Sequence, residues 1–382
     1  MTPREILDRL VAFPTVSSES NLALVDWVED YLASHGVTCL RDYDATGRKA
    51  NLYAHIGPEE PGAVILSGHT DVVPVEGQDW STDPWTVTER DGRLYGRGTT
   101  DMKGFLALVL AAVPKMSGLA RPIQLAFSYD EEVGLLGARP LARRMAADLP
   151  RAEAVLIGEP TGMRVVSGHK SCHGYEVEVK GHEVHSSLLH QGVSAIHEAA
   201  RLIDWIRRRS DENRDRGPQS EADALFDPPY TTLHVGRIEG GTAHNITARK
   251  ARFVIDLREV PSDMDGRHAA DLELECAALD AELKARHPDA GVSLRLAAPG
   301  PGVRPEPDGA AERLARRLTG DNGTAAVSYG TDGGWFQHEG FSTVICGPGD
   351  ISVAHQPDEF ITLDQFRAGE AFLDRLIADR SA

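Results

Sequence analysis

Four polar clusters in this sequence each follow an apolar run or a glycine turn, and each brings carboxylates or an imidazole. Val64-Ile65-Leu66-Ser67-Gly68 runs into His69-Thr70-Asp71, and Leu125-Ala126-Phe127-Ser128-Tyr129 runs into Asp130-Glu131-Glu132. Gly96-Arg97-Gly98-Thr99-Thr100 leads to Asp101, and Val155-Leu156-Ile157-Gly158 leads to Glu159. Much later a Gly347-Pro348-Gly349 loop precedes His355. Carboxylates crowded together repel, and burying them is costly unless a cation compensates. A mixed imidazole and carboxylate set suits zinc, or related ions such as cobalt and manganese. Three carboxylates and one hydroxide would balance two doubly charged ions, and a hydroxide bridging two such ions is a ready nucleophile for amide hydrolysis. Singly, each cluster has a plainer reading: a satisfied polar histidine, an acidic helix start, a glycine turn, or a helix cap at Asp101. Their recurrence after successive apolar runs weighs against coincidence.

The elements that must position these groups can be read from periodicity. Thr2-Pro3-Arg4-Glu5 is a capping box with proline at the first helical position, and Ile6, Leu7, Leu10 and Val11 supply the apolar face. A second helix is expected over 21–35, capped by Asn21 and stopped by Gly36. Apolar runs at 63–67, 123–127 and 154–157 predict buried strands, alternating with helices after Asp101 and after Leu136. Continuous apolar strands alternating with helices give an α/β domain with a mostly parallel sheet sandwiched by helices. In such a sheet the functional crevice lies outside the carboxyl ends of the strands, where the four clusters fall.

The pattern changes near Ser171. Tyr175-Glu176-Val177-Glu178-Val179-Lys180 alternates apolar and charged residues, the mark of a strand with one wet face. A helix over 194–209, a polar loop over 210–229, strands at 232–238 and 249–258, a helix over 263–287 and a strand at 292–296 complete a β-α-β-β-α-β order. Pro299-Gly300-Pro301-Gly302 reads as the hinge out of this module, and strands at 325–328 and 343–346 and a helix from Leu363 return to the first pattern. The expected organisation is one domain formed by 1–171 and 299–382, interrupted by an inserted α+β domain at 172–298.

The chain has 382 residues, 41% of them hydrophobic, enough for packed interiors in two domains. Its formal net charge of −18 argues against general affinity for phosphate backbones or anionic lipid, so neither nucleic acid nor membrane is expected as a partner. The Arg207-Arg208-Arg209 run is read as a solvated helix end. Gly330-Thr331-Asp332-Gly333-Gly334 lacks the lysine spacing of a phosphate loop. The N-terminal residues show no secretory pattern, and the four cysteines show no CxxC spacing, so a cytoplasmic location with reduced thiols is expected.

The phrases Ser67-Gly68-His69-Thr70-Asp71-Val72-Val73-Pro74, Tyr95-Gly96-Arg97-Gly98-Thr99-Thr100-Asp101-Met102-Lys103-Gly104, Asp130-Glu131-Glu132-Val133-Gly134 and Gly158-Glu159-Pro160-Thr161 occur in order. They continue in His185-Ser186-Ser187, Tyr329-Gly330-Thr331-Asp332, Cys346-Gly347-Pro348-Gly349 and Ala354-His355-Gln356-Pro357. Together they resemble the dinuclear zinc aminoacylase and carboxypeptidase-like amidohydrolases, from about Ser67 to the C-terminus. The resemblance implies a zinc-peptidase-like sheet, with the inserted domain serving as lid and homodimer contact. It implies two divalent ions, zinc or alternatively cobalt. Asp101 would bridge them, with His69 and Glu159 on one ion and Glu132 and His355 on the other. Glu131 would be the general base, Asp71 the partner orienting His69, and His185 an oxyanion donor reaching the neighbouring subunit's site. Asn245 and Arg258 would hold the substrate carboxylate. Two departures, Asn245-Ile246-Thr247-Ala248 and Asp332-Gly333, bear on substrate and leave the metal set intact. The implied reaction is hydrolysis of the acyl amide of a small-molecule N-acyl amino acid. N2-acetyl-L-ornithine is the first substrate expectation, with an N-succinyl diamino acid, N-acetylcitrulline or a dipeptide as alternatives. A non-catalytic metal-binding scaffold would need a broken ligand or base, and none is missing. A nucleotide-binding protein would need a full glycine fingerprint, which Gly96-Arg97-Gly98 lacks.

Overall fold

A computed structural model describes residues 1–382. The chain divides into two compact units: 1–168 with 303–326 and 331–382, and 169–302 with 327–330.

In the first unit an eight-stranded sheet has the spatial order Cys39–Tyr43, Ala50–Ile56, Ile123–Ser128, Ala63–His69, Ala152–Pro160, Thr343–Gly347, Val166–His169, Ala325–Val327. The middle of it is parallel: Ala63–His69 pairs in parallel with both Ile123–Ser128 and Ala152–Pro160, and Thr343–Gly347 with Ala152–Pro160. Every residue of Ala63–His69 and of Ile123–Ser128 is buried, as expected for strands covered by helices on both faces. The helix Lys103–Ala112, apolar nearly all round, packs against Pro3–Val11 and Leu363–Ser381. Two strand glycines let this helix approach. A Cβ at Gly158 would collide with the Phe105 ring, and one at Gly68 would lie 2.6 Å from Met102 Cε. Both glycines directly precede a candidate ligand, so the close approach that brings Asp101 to the sheet is written into the same motifs.

The second unit has a four-stranded antiparallel sheet ordered Thr232–Gly240, Lys250–Arg258, His173–Lys180, Gly291–Ala298. Tyr175, Val177 and Val179 turn inward toward the helices Ala195–Arg216 and Arg267–Arg286, giving the β-α-β-β-α-β order read from the sequence. This unit reaches back to 169 and on to 302. Lys170 Nζ donates to the Tyr230 carbonyl at 2.8 Å, and Ser171 Oγ donates to Glu259 Oε2 at 3.0 Å.

Several local expectations need correction. The capping box at Thr2 is present, with Glu5 N–H on Thr2 Oγ1 at 3.2 Å and Thr2 N–H on Glu5 Oε2 at 2.8 Å. Asn21 does not cap its helix: its amide instead exchanges hydrogen bonds with the Ala50 backbone at 2.9 and 3.0 Å, tying that helix to the sheet. The helix expected to end at 209 continues to Arg216, where Gly217 at φ 67° closes it. Arg207-Arg208-Arg209 is therefore mid-helix, spaced to pair with Asp204, Asp211 and Glu212 one turn away. The next helix begins at Arg267 rather than 263, because Asp263 is buried as an acceptor for Arg216 and Thr231. No helix is long and apolar enough to cross a membrane.

Candidate metal centre

Each arm of the centre leaves the carboxyl end of one of the parallel strands, or the helix laid against them. His69 closes Ala63–His69, Glu159 lies near the end of Ala152–Pro160, and Glu131-Glu132 follow Ile123–Ser128. His355 comes after Thr343–Gly347, and Asp101 sits two residues before Lys103–Ala112. Asp130 and His355 both hold left-handed backbone, φ 54° and 63°, which non-glycine residues rarely adopt outside sites that require it. Lys49 secures the first of these, with Nζ 2.5 and 2.6 Å from the two Asp130 oxygens.

The geometry forms two groups that share one carboxylate. Asp101 Oδ1 lies 3.0 Å from His69 Nε2, and Glu159 Oε1 lies 3.6 Å from the same nitrogen. Asp101 Oδ2 lies 3.1 Å from His355 Nε2, which is 3.0 Å from Glu132 Oε2. A tetrahedral zinc with bonds near 2.0–2.1 Å spaces its ligand atoms about 3.3 Å apart, so both groups have the spread that such an ion requires. One donor atom each of His69, Asp101 and Glu132 also lies within 4.8 Å of the others.

The electrostatics ask for a cation. Burial opposes charge on His69, yet the hydrogen bond to Asp101 and the charge of Glu159 raise its pKa well above the usual imidazole range. His355 is pushed up to about 10 by its hydrogen bonds to Asp101 and Glu132. Burial would raise Asp101, but hydrogen bonds from the two imidazoles hold it well below the usual carboxylate range. Glu131 and Glu159, first by burial and then by neighbouring acids, are driven well above theirs. Without metal, the raised pKa values favour imidazolium at the two rings and the neutral acid at Glu131 and Glu159, so protons offset the crowded negative charge. Divalent ions in the same places would displace those protons, and the residues present fit them.

This sets an expectation for pH. With metal removed, His355 holds its proton more tightly folded than unfolded, where it titrates near 6.5. That contribution to stability is complete below pH 6.5 and is lost as pH rises toward 10; the raised Glu131 and Glu159 act with the same sign above pH 4.5. Metal affinity moves the other way, because its ligands must be deprotonated. The gap in Tm between metal-loaded and chelated protein is expected to widen from pH 6.5 to 9. A constant or shrinking gap in a calorimetric pH series would contradict this account of the cluster.

The side chains around the ligands do more than the sequence revealed. Asp71 meets His69 differently from the expectation: His69 Nδ1 is 2.9 Å from the Asp71 carbonyl and 3.6 Å from its carboxylate. The carboxylate instead accepts the N–H of Glu131 at 3.1 Å and of Glu132 at 3.4 Å, and the Ser17 hydroxyl at 2.6 Å. One residue thus orients the imidazole through its backbone and the acidic pair through its side chain. Asp332 is buried beside the cluster, accepts Ser128 Oγ at 2.5 Å, and is pushed up to about 6 by burial. The sequence placed Asp332 in a family-like phrase without assigning it a role.

His185, Asn245 and Arg258 belong to the second unit. His185 is exposed, bridges to Ile246 in antiparallel fashion, and holds Ser187 Oγ 2.8 Å from Nδ1. The neighbouring Asn245 carbonyl accepts Ser186 N–H at 2.9 Å, so His185 and Asn245 share one corner of that unit. Arg258 ends its strand paired with Asp256 at 2.9 Å and donating to the Ser328 carbonyl at 3.3 Å.

Comparison with known proteins places the chain in a family. Residues 65–379 match the model for peptidase family M20/M25/M40. An acetylornithine deacetylase from Myxococcus xanthus is 36% identical over 98% of this chain and 96% of its own length. One from Pasteurella multocida is 32% identical over 98% and 96%. Among solved structures, an M20 family metallo-carboxypeptidase from Sulfolobus solfataricus superposes with a TM-score of 0.75 at 19% identity, covering 98% of each chain. At that identity the likeness speaks for the fold.

Proposed function

The chain belongs to peptidase family M20/M25/M40 and is a hydrolase, and on that premise we propose that it cleaves the acyl amide of an N-acyl amino acid at a dinuclear metal centre, with N2-acetyl-L-ornithine as substrate. The observation that carries this reading is Asp101 lying within 3.1 Å of both His69 and His355, each imidazole with a further carboxylate of its own. The substrate rests on the relatives at 32% and 36% identity.

In this reading His69, Asp101 and Glu159 would hold one ion, and Asp101, Glu132 and His355 the other, zinc or cobalt. Bound there, the ions supply Lewis acidity and an acidified water. Glu131 takes the proton of the attacking water and returns it to the leaving amine, a task suited to a carboxylate whose proton affinity burial raises well above the usual range. Asp71 fixes the Glu131 backbone for that transfer. His185, contributed by a second copy through the inserted domain, donates to the tetrahedral oxyanion, while Asn245 and Arg258 hold the substrate carboxylate.

The decisive assay loads the protein with zinc or cobalt and offers a panel of N-acyl amino acids. Free amine is expected from N2-acetylornithine with kcat/KM about tenfold or more above N-acetylmethionine and N-succinyl-diaminopimelate. Preference for the succinyl substrate, acetylcitrulline or a dipeptide would overturn the substrate, and no amide hydrolysis at all would overturn the reaction.

A further inference from the structure

Glu359 lies four residues beyond His355, is 1% exposed, and has both carboxylate oxygens engaged. Oε1 accepts the N–H of Thr100 at 2.9 Å and of Asp101 at 3.0 Å. Oε2 accepts the N–H of Gly98 at 3.0 Å and Nη1 of Arg97 at 2.7 Å. The Glu359 carbonyl also accepts Gly96 N–H at 2.9 Å. One residue of the His355 arm thus gathers the donors of the segment that ends at Asp101. Arg97, also 1% exposed, closes the circuit on the other side. Its Nη2 donates to Gln78 Oε1 at 2.6 Å, and Gln78 Nε2 donates to the His355 carbonyl at 2.9 Å.

A buried ion pair is a poor source of net stability, because desolvating two charges offsets their attraction. Where its bonds end is more informative. They end on the backbone of Asp101, whose carboxylate touches both imidazoles, and on the backbone of His355, the most exposed of the candidate ligands, with 49% of its side chain open to solvent. An exposed ligand on left-handed backbone has little packing to hold it, so its placement must come from bonds of this kind.

We propose that Glu359, through Arg97 and Gln78, is a positioning residue: it locks the Asp101 segment to the His355 arm and so sets the spacing of the ligands around the second ion. The inference rests on the metal-centre reading above and deepens it. A mere staple of the fold would act on stability and leave metal affinity alone.

The test uses full-length wild type, Glu359→Gln and Arg97→Lys, each stripped with chelator and titrated with Co²⁺ in a metal buffer. Visible absorption reports ligand geometry, and melting of the chelated protein reports the fold. Wild type is expected to take two ions. Glu359→Gln, which faces two N–H donors with an amide N–H₂, is expected to bind one of them about 10–100-fold more weakly, the range for losing an outer partner of a metal ligand. Its cobalt spectrum shifts, while its chelated form melts close to wild type. Arg97→Lys, which keeps the charge but not the fork, weakens the same ion. If Glu359→Gln does not fold, Arg97→Lys decides by the same readouts. Wild-type affinity and spectrum in the variants, with any loss confined to chelated stability, would overturn the positioning role alone. A wild type that binds no ion would remove the metal reading and this inference with it.

Discussion

Asp101→Ala is expected to leave the protein with fewer than two bound ions and to lower turnover by well over the roughly 100-fold that losing an outer-shell partner costs. Its two oxygens lie 3.0 Å from His69 and 3.1 Å from His355, so its loss opens both ligand groups at once. Glu132→Gln should be milder and one-sided, since Glu132 meets His355 at 3.0 Å and belongs to one group only. Elemental analysis beside turnover separates the two variants. Two bound ions and normal turnover in Asp101→Ala would remove the bridging role.

Glu131→Gln is expected to keep its metal and lose about 10²–10⁴-fold in kcat, the usual worth of a positioned proton-transfer group. The acidic pair is divided by geometry: the Glu132 carboxylate contacts His355, whereas Glu131 donates its backbone N–H to Asp71. A metal-poor Glu131→Gln would exchange the two roles. The same variant tests the proposed second copy. Mixed with His185→Ala after subunit exchange, it forms heterodimers in which one site has an intact Glu131 and an intact His185 from the other chain. Random exchange of two-fold dimers would restore about a quarter of wild-type activity. No recovery, with exchange verified, would reject a shared site.

The sequence made the candidate ligands legible because several of them close or follow buried strands, and mostly apolar runs such as 63–67 and 123–127 announce where those strands end. The second unit was readable for a different reason: Tyr175 to Lys180 alternates because only one face of its sheet is covered. What stayed hidden depends on partners distant in the chain. Asn21 has the composition of a helix cap but spends its amide on Ala50, a choice no local window contains. Glu359 looks like one more acid in an acidic chain until Gly98, Thr100 and Asp101 are seen pointing their N–H groups at it. Edge pieces such as Cys39–Tyr43, and the small sheet of Thr88–Arg90, Arg93–Tyr95 and Phe360–Thr362, carry too few buried residues to show a period.

The order of the ligands along the chain has a consequence for biosynthesis. His69, Asp101, Glu132 and Glu159 are translated before the whole of the second unit, and His355 with Glu359 after it. Domains emerging from a ribosome fold largely in order of synthesis, at roughly 5–20 residues per second. Until residues 303–382 are made, the chain carries Asp101, Glu131, Glu132 and Glu159 with His69 but without His355, Glu359 or the strand Thr343–Gly347 of the first unit's sheet. On the dinuclear reading proposed above, capture of a second ion waits for the arm that carries His355.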